Sequence, residues 1–318
     1  MTAKITFFPL GNADTSLIRL ADDQLVLLDY ANKRDPNNQY DARCDLPVEL
    51  RKEMDDADQE DFSVVCFTHL DDDHVCGSSD FFWLEHAAKY QEEGRPKIDE
   101  LWVPAAAITE TGVEDSAWAI RQEARHRLKN GSGIKVFSRP AALESFLKEN
   151  GLTLESRAHC IVDAGTTIPG FSLDGSEQVE FFVHCPFAWR SDERGLEDRN
   201  QDAVVLQATF MAGGSETYAL LGSDVDCDTI GEIVKTSRSH DNEDRLLWDI
   251  LHLFHHCSYK SVGPERGVDE TEPTEEVAWL IEEQSRDGAI IICPSKPIPI
   301  KGSERRGTGS VQEFINKC

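Results

Sequence analysis

Residues 67–79 read FTHLDDDHVCGSS, directly after the apolar run Ser63–Val64–Val65–Cys66–Phe67. Three consecutive aspartates therefore sit between two histidines at the end of an expected buried strand. Like charges this close repel one another and shift each other's pKa. A solvated loop tolerates them, whereas a bound cation would require them. Read as His-x-Asp-x-Asp-His, the loop offers His69, Asp71, Asp73 and His74. Such a set at a strand end can reach two ions about 3.5–4 Å apart, and imidazole and carboxylate are the ligands that hydrolytic metals use. So short a loop cannot complete two coordination shells, so further ligands are expected at the ends of other strands.

The sequence supplies them. The apolar segment Val179–Val183 ends in His184-Cys185-Pro186, Thr217–Leu221 ends in Gly222-Ser223-Asp224, and Ile250–Phe254 ends in His255-His256-Cys257-Ser258. Adjacent side chains of a strand point to opposite faces, so one of His255 and His256 is expected to bind, with His256 preferred. Asp29 closes the segment Leu25–Asp29 and is expected to orient a ligand histidine or to cap the loop. Asp72 is expected to face water. His86, His126, His159 and His240 lack the strand-end context and read as surface or satisfied core histidines.

The elements that must position these groups are legible from periodicity. Lys4–Leu10, Ser16–Ala21 and Leu25–Asp29 read as strands, with turns at Gly11-Asn12-Ala13-Asp14 and Asp22-Asp23. Residues 32–62 are polar and acidic, a loop or a weak helix. From 79 to 151 the period becomes helical, with Leu101-Trp102-Val103 as a short strand and Pro140 opening a helix that ends at Asn150-Gly151. This stretch is expected to be a helical insertion or lid. Strands then return at Val179–Val183, Ala203–Phe210, Thr217–Leu221, Ile250–Phe254 and Ala289–Cys293, with helices near Thr229–Thr236 and Thr274–Ser285. That order predicts an α/β (α+β) single domain over 1–318: two sheets packed face to face with helices outside.

The chain has 318 residues, 40% of them hydrophobic, enough for a packed core, and a formal charge of −27. That charge argues against a broad basic face for nucleic-acid backbone and favours solubility. No apolar run is long enough to span a membrane, and MTAKITFFPL lacks the apolar core of a signal peptide. The nine cysteines form no Cys-x-x-Cys pair, which predicts a reducing cytoplasm with no disulfide framework. Arg121, Arg125, Arg127 and Lys129 on one helix, and Lys296, Lys301, Arg305 and Arg306 near the C-terminus, are basic islands that suit phosphate contacts, although such runs are more often solvated.

Taken together, these motifs resemble the metallo-β-lactamase fold superfamily of hydrolases, and within it most nearly the hydrolase domain of the bacterial competence DNA-uptake channel. TFFPLGNADTSLIRLADDQLVLLDYA is similar to the family's opening, NQDAVVLQATF (residues 200–210) to its Asn-x-x-Ser-Leu-Val-Leu strand, LLGSDVD to its Leu-Thr-Gly-Asp and LFHHCSYKS to its His-His-Gly-Ser-Lys segment. The resemblance implies a four-layer αββα sandwich. It implies one metal on His69, Asp71 and His184, a second on Asp73, His74 and a histidine of the 255–256 pair, and Asp224 as bridge. Asp71 stands where many members have histidine, which hardens the site and moves its preference from Zn towards Mn or Mg. Cys76 and Cys257 occupy positions usually given to glycine, and Cys185 adjoins His184; the plain reading is a small buryable residue, the sharper one a reactive thiol rim.

The expected activity is that of a binuclear metallohydrolase. Two divalent ions lower the pKa of a bridging water, and the resulting hydroxide attacks a phosphodiester (DNA, RNA or a nucleotide) or a small anionic ester or lactone. Asp73 and Lys260 are the expected catalytic groups, Lys260 by stabilising developing negative charge. The resemblance also implies an alternative: an accessory or effector subunit gated by protein partners from the same operon, as in bacterial defence systems.

Overall fold

The computed structural model describes residues 2–194, 199–268 and 271–296. Among these, twelve strands form two sheets. The first holds β1 (Lys4–Phe7), β2 (Ser16–Arg19), β3 (Leu25–Leu28), β4 (Phe62–Cys66), β5 (Ile98–Pro104), β6 (Ile134–Phe137) and β7 (Ile161–Val162) in that spatial order. The second comprises β8 (Val179–Cys185), β9 (Val205–Ala212), β10 (Ser215–Leu221), β11 (Trp248–His252) and β12 (Ser285–Ile292), ordered β12-β11-β10-β9-β8. Each sheet changes character midway. β1–β3 run antiparallel and β3–β7 parallel; β8–β10 run antiparallel and β10–β12 parallel.

Side-chain alternation along the strands builds the layers. In β3, Val26 and Leu28 point to the inter-sheet core, where they meet Val64, Trp102, Phe181, Val183, Leu206 and Leu221. Leu25 and Leu27 point outward, with Val65, Leu101 and Val136, onto the helices of the first face. These are α1 (Leu46–Asp56), the one-turn α2 (Asp72–Val75) and α3 (Ser78–Phe81), α4 (Ala105–Thr109), α5 (Asp115–Asn130) and α6 (Ala141–Glu149). After α7 (Ala188–Arg194), α8 (Cys227–Ser239) and α9 (Glu275–Glu282) cover the second sheet, packing Ile230, Val234, Val277 and Leu280 on Leu220, Trp248 and Leu251. The result is the expected αββα sandwich.

The segment 79–151 differs from the expected helical insertion. It contributes β5 and β6 to the first sheet, with α4, α5 and α6 between and after them. The reason is β6, Ile134-Lys135-Val136-Phe137, a strand too short and too close to α5 to show its own periodicity. The parallel strands fix the site: β3, β4, β10 and β11 all deliver their C-terminal ends to one rim. No helix among the described residues is long and apolar enough to cross a membrane.

Candidate metal centre

The loop after β4 folds into α2, with Asp71 as its N-cap residue and Asp72, Asp73 and His74 in its single turn. A helical turn sends neighbouring side chains about 100° apart, so Asp73 and His74 reach inward while Asp72 projects into solvent and pairs with Lys33. His74 is fully buried; its Nδ1 donates to Asp29 Oδ2 at 2.7 Å and its Nε2 faces Asp224 Oδ1 at 3.3 Å. Asp29 also accepts from the Thr68 amide and hydroxyl, each at 2.7 Å, the orienting role expected of it.

His256 is held in the same manner. Its Nδ1 donates to the Pro294 carbonyl at 2.9 Å, and its Nε2 lies 3.2 Å from Asp73 Oδ2 and 3.4 Å from Asp224 Oδ2. In both histidines the Nδ1 bond orients the ring so that Nε2 is directed at Asp224. Asp14, His74, Asp224 and His256 can each bring one ligand atom within 4.8 Å of all the others. His74 Nε2, His256 Nε2, Asp224 Oδ1 and Asp14 Oδ2 are buried and make no hydrogen bond. Buried polar atoms are ordinarily satisfied, so a convergent set of orphans fits a cation. Beside them opens a polar cavity of about 470 Å³ lined by Asn12, Asp71, Asp73, Asn200, Asp224, His255, His256 and Ser258.

The charges are strongly coupled. Burial opposes the imidazolium of His256, but Asp224 and Asp73 outweigh it and hold its pKa at about 10. His74, also opposed by burial, is raised by Asp29 and Asp224. Asp73 stays ionised, its pKa near 2, because His256 and His74 overcome partial burial. These protons are the ones a metal ion would displace.

His69 shares the rim but stands apart chemically. Its Nδ1 meets Thr68 Oγ1 at 3.2 Å, its Nε2 is an orphan 3.7 Å from Asp71 Oδ2, and burial together with neighbouring His74 lowers its pKa to about 4. Asp71 Oδ1 is taken by Arg199 Nη1 at 2.6 Å. His184 is not brought to the cluster: its Nε2 donates to the Arg245 carbonyl at 2.9 Å, and its ring packs edge-on against Phe182 and lines a different cavity.

Three other expectations need correction. β11 stops at His252, and His255, His256 and Cys257 follow in left-handed conformation with φ of 47°, 49° and 63°. Strand alternation therefore does not choose between the two histidines; the tight turn brings both to the cavity, with His256 on the carboxylates. Lys260 is exposed and does not line this cavity. Arg127 is buried on Glu123, while Arg121 and Arg125 donate to the Glu110 and Ile108 carbonyls, so α5 presents no basic phosphate face. Lys301, Arg305 and Arg306 lie outside the described residues.

The reactive thiol rim finds no support: burial raises the pKa of Cys185 and Cys76. Two functional groups escaped sequence reasoning. Asp14 reaches the cluster from the β1–β2 turn, and the buried His252 donates from Nε2 to Asp14 Oδ1 at 3.0 Å and from Nδ1 to the Gly222 carbonyl at 3.2 Å. Asp14 is the last residue of a turn read only for its shape; His252 hides inside an apolar strand.

No protein-family model matches the sequence, and no curated protein matches it. Among solved structures the chain is similar to a beta-lactamase from Chitinophaga pinensis (11% identity, TM-score 0.31), aligning 70% of this chain with 63% of that one. It is similar to a diphosphatase of the PhnP family (11% identity, 89% and 83% of the two chains, TM-score 0.32). It is also similar to BJP-1, a subclass B3 metallo-beta-lactamase of Bradyrhizobium japonicum (12% identity, 88% and 89%, TM-score 0.33). Likenesses this weak carry no conclusion about this chain's chemistry.

Proposed function

We propose that this protein is a metal-dependent hydrolase acting on a phosphodiester. The observation that carries the reading is the convergence of buried, hydrogen-bond-free ligand atoms from His74, His256, Asp224 and Asp14, with Asp73 beside them, at the base of an open polar cavity. His74, His256, Asp224 and Asp14 would hold a divalent ion, which would supply Lewis acidity for a phosphoryl oxygen and for water. The protein's own groups do the rest. Asp29 and the Pro294 carbonyl lock the two imidazoles. Asp73, ionised and partly exposed, accepts a hydrogen bond from the attacking water and orients it. Asn12 and Ser258 line the cavity and offer donors to the substrate's oxygens.

The phosphodiester rests on the likeness of the His69–His74 loop to the DNA-uptake subtype and on the carboxylates Asp14 and Asp224 in the ligand group, which suit the hard ions of phosphoryl transfer. A charge of −27 argues against a broad basic track for long polymers, so a nucleotide or a strand end is the better substrate. The test is metal content by elemental mass spectrometry followed by hydrolysis of bis-p-nitrophenyl phosphate with added Mn²⁺, Mg²⁺ or Zn²⁺. Bound metal with turnover is expected. A protein that takes up none of these ions would overturn the reading.

A further inference from the structure

The second ion position implied by the resemblance needs His69, Asp71 and His184, and these residues do not fit it. His184 donates its Nε2 proton to the Arg245 carbonyl and faces another cavity. Asp71 is already neutralised by Arg199, whose Nε is in turn held by Glu110 Oε2 at 2.7 Å. Glu110 is buried, so the guanidinium is anchored from behind by one carboxylate and presented to the rim by the other. Only His69 keeps a free inward nitrogen, and a lone imidazole is a poor site for a hard ion.

Resting on the hydrolase reading, we infer that the protein holds one divalent ion, on Asp14, His74, Asp224 and His256, and that Arg199 supplies the positive charge a second ion would have brought to the substrate. A guanidinium suits that place: it is always charged, and its planar fork pairs with two phosphoryl oxygens at once. Asp71 and Asn200 line the same cavity as the ligands, and Arg199, the residue before Asn200, is bonded to Asp71 at 2.6 Å, directly behind that lining. Arg199 is about one-third exposed, which leaves N–H groups free to meet an anion. The arrangement selects substrates with two anionic or strongly polar oxygens on the reacting centre, as phosphodiesters have and lactones lack.

The experiment is equilibrium dialysis of the full chain against Mn²⁺, with bound metal counted by elemental analysis, followed by calorimetric titration of the loaded protein with methylphosphonate. One ion per chain at saturation is expected. Two ions would overturn this inference while leaving the hydrolase reading intact, and none would overturn both. Arg199→Ala is expected to keep one ion and to weaken methylphosphonate about tenfold or more, the scale of a lost charge-assisted pair. Arg199→Lys keeps the charge without the fork, should weaken it less, and serves if the alanine variant fails to fold. Unchanged methylphosphonate affinity in a folded, singly loaded variant would reduce Arg199 to a structural tie and overturn its role with the anion.

Discussion

At the scale of single residues, function depends on which way each imidazole nitrogen points. Asp29 accepts three donors and turns one of them, His74, so that its Nε2 faces the centre. Asp29→Asn replaces one acceptor oxygen with a donor. Metal affinity should fall about 10–100-fold, the usual range for a lost orienting partner, which calorimetric titration with Mn²⁺ would show; an unchanged affinity would mean that Asp29 merely caps the loop. The aspartate run gives a sharper contrast. His74→Ala should lose bound metal and Asp73→Ala should bind it more weakly, whereas Asp72→Ala, whose side chain is 74% exposed on Lys33, should keep it and shift stability by less than about 0.5 kcal/mol. Most of this was legible, because clustered ligand types at strand ends are rare without a purpose. Asp14 and His252 were not, since each is a single polar residue whose partner lies far away in sequence. The fate of His184 was equally hidden: a strand-end histidine reads the same whether its ring turns to an ion or to the Arg245 carbonyl.

At the scale of elements, α5 shows how a helix without ligands supports the rim. Glu123 and Arg127, one helical turn apart, are both buried and paired at 2.7 Å. Glu123 also accepts from the His86 ring at 2.9 Å, and Arg127 donates to the Ile98 and Gly133 carbonyls at the ends of β5 and β6. Glu123→Ala should cost about 3 kcal/mol in denaturant unfolding, because it removes the buried partner of Arg127 and leaves only the half-exposed Glu85 at 3.3 Å. Burial opposes ionisation of Glu123, yet His86 and Arg127 prevail and bring its pKa from 4.5 to about 2. A depressed carboxylate pKa stabilises the fold above the unfolded value and loses that contribution as the pH falls through the folded one. Acidification from pH 4.5 to 2 should therefore remove about 3 kcal/mol in the wild type beyond any loss in Glu123→Gln. Parallel unfolding curves for the two proteins across that window would sink the assignment. The same helix explains a misread element. Its apolar period dominates residues 79–151, so the short β6 just beyond it reads as a continuation of helical structure, while strands such as β3 and β9, bounded by turn residues, declare themselves.

At the scale of the whole molecule, the centre lies where the two sheets meet, and its ligands are divided between them. Asp14 comes from the β1–β2 turn and His74 from the segment after β4 in the first sheet; Asp224 follows β10 and His256 follows β11 in the second. Asp73, Asp224 and Asp14 face His74, His252 and His256 across this junction at 3.0–3.8 Å. An ion held by Asp14, His74, Asp224 and His256 would tie one sheet to the other. A ligand that binds only the folded state adds stability by mass action, about 2.7 kcal/mol at a free concentration one hundred times its dissociation constant. For a chain of this size that corresponds to a rise of about 5 °C in Tm. Saturating Mn²⁺ should therefore raise Tm by that order relative to protein treated with EDTA, and His74→Ala should show no such rise. Because the ligands span both sheets, the effect should appear equally in probes of each: Trp102 fluorescence reports on the first sheet and Trp248 on the second, each read in a variant whose other tryptophans are replaced. Equal shifts at both probes mean that the ion ties the sandwich together. A shift confined to one would place all the bonds to the ion within one sheet and refute the divided ligand set.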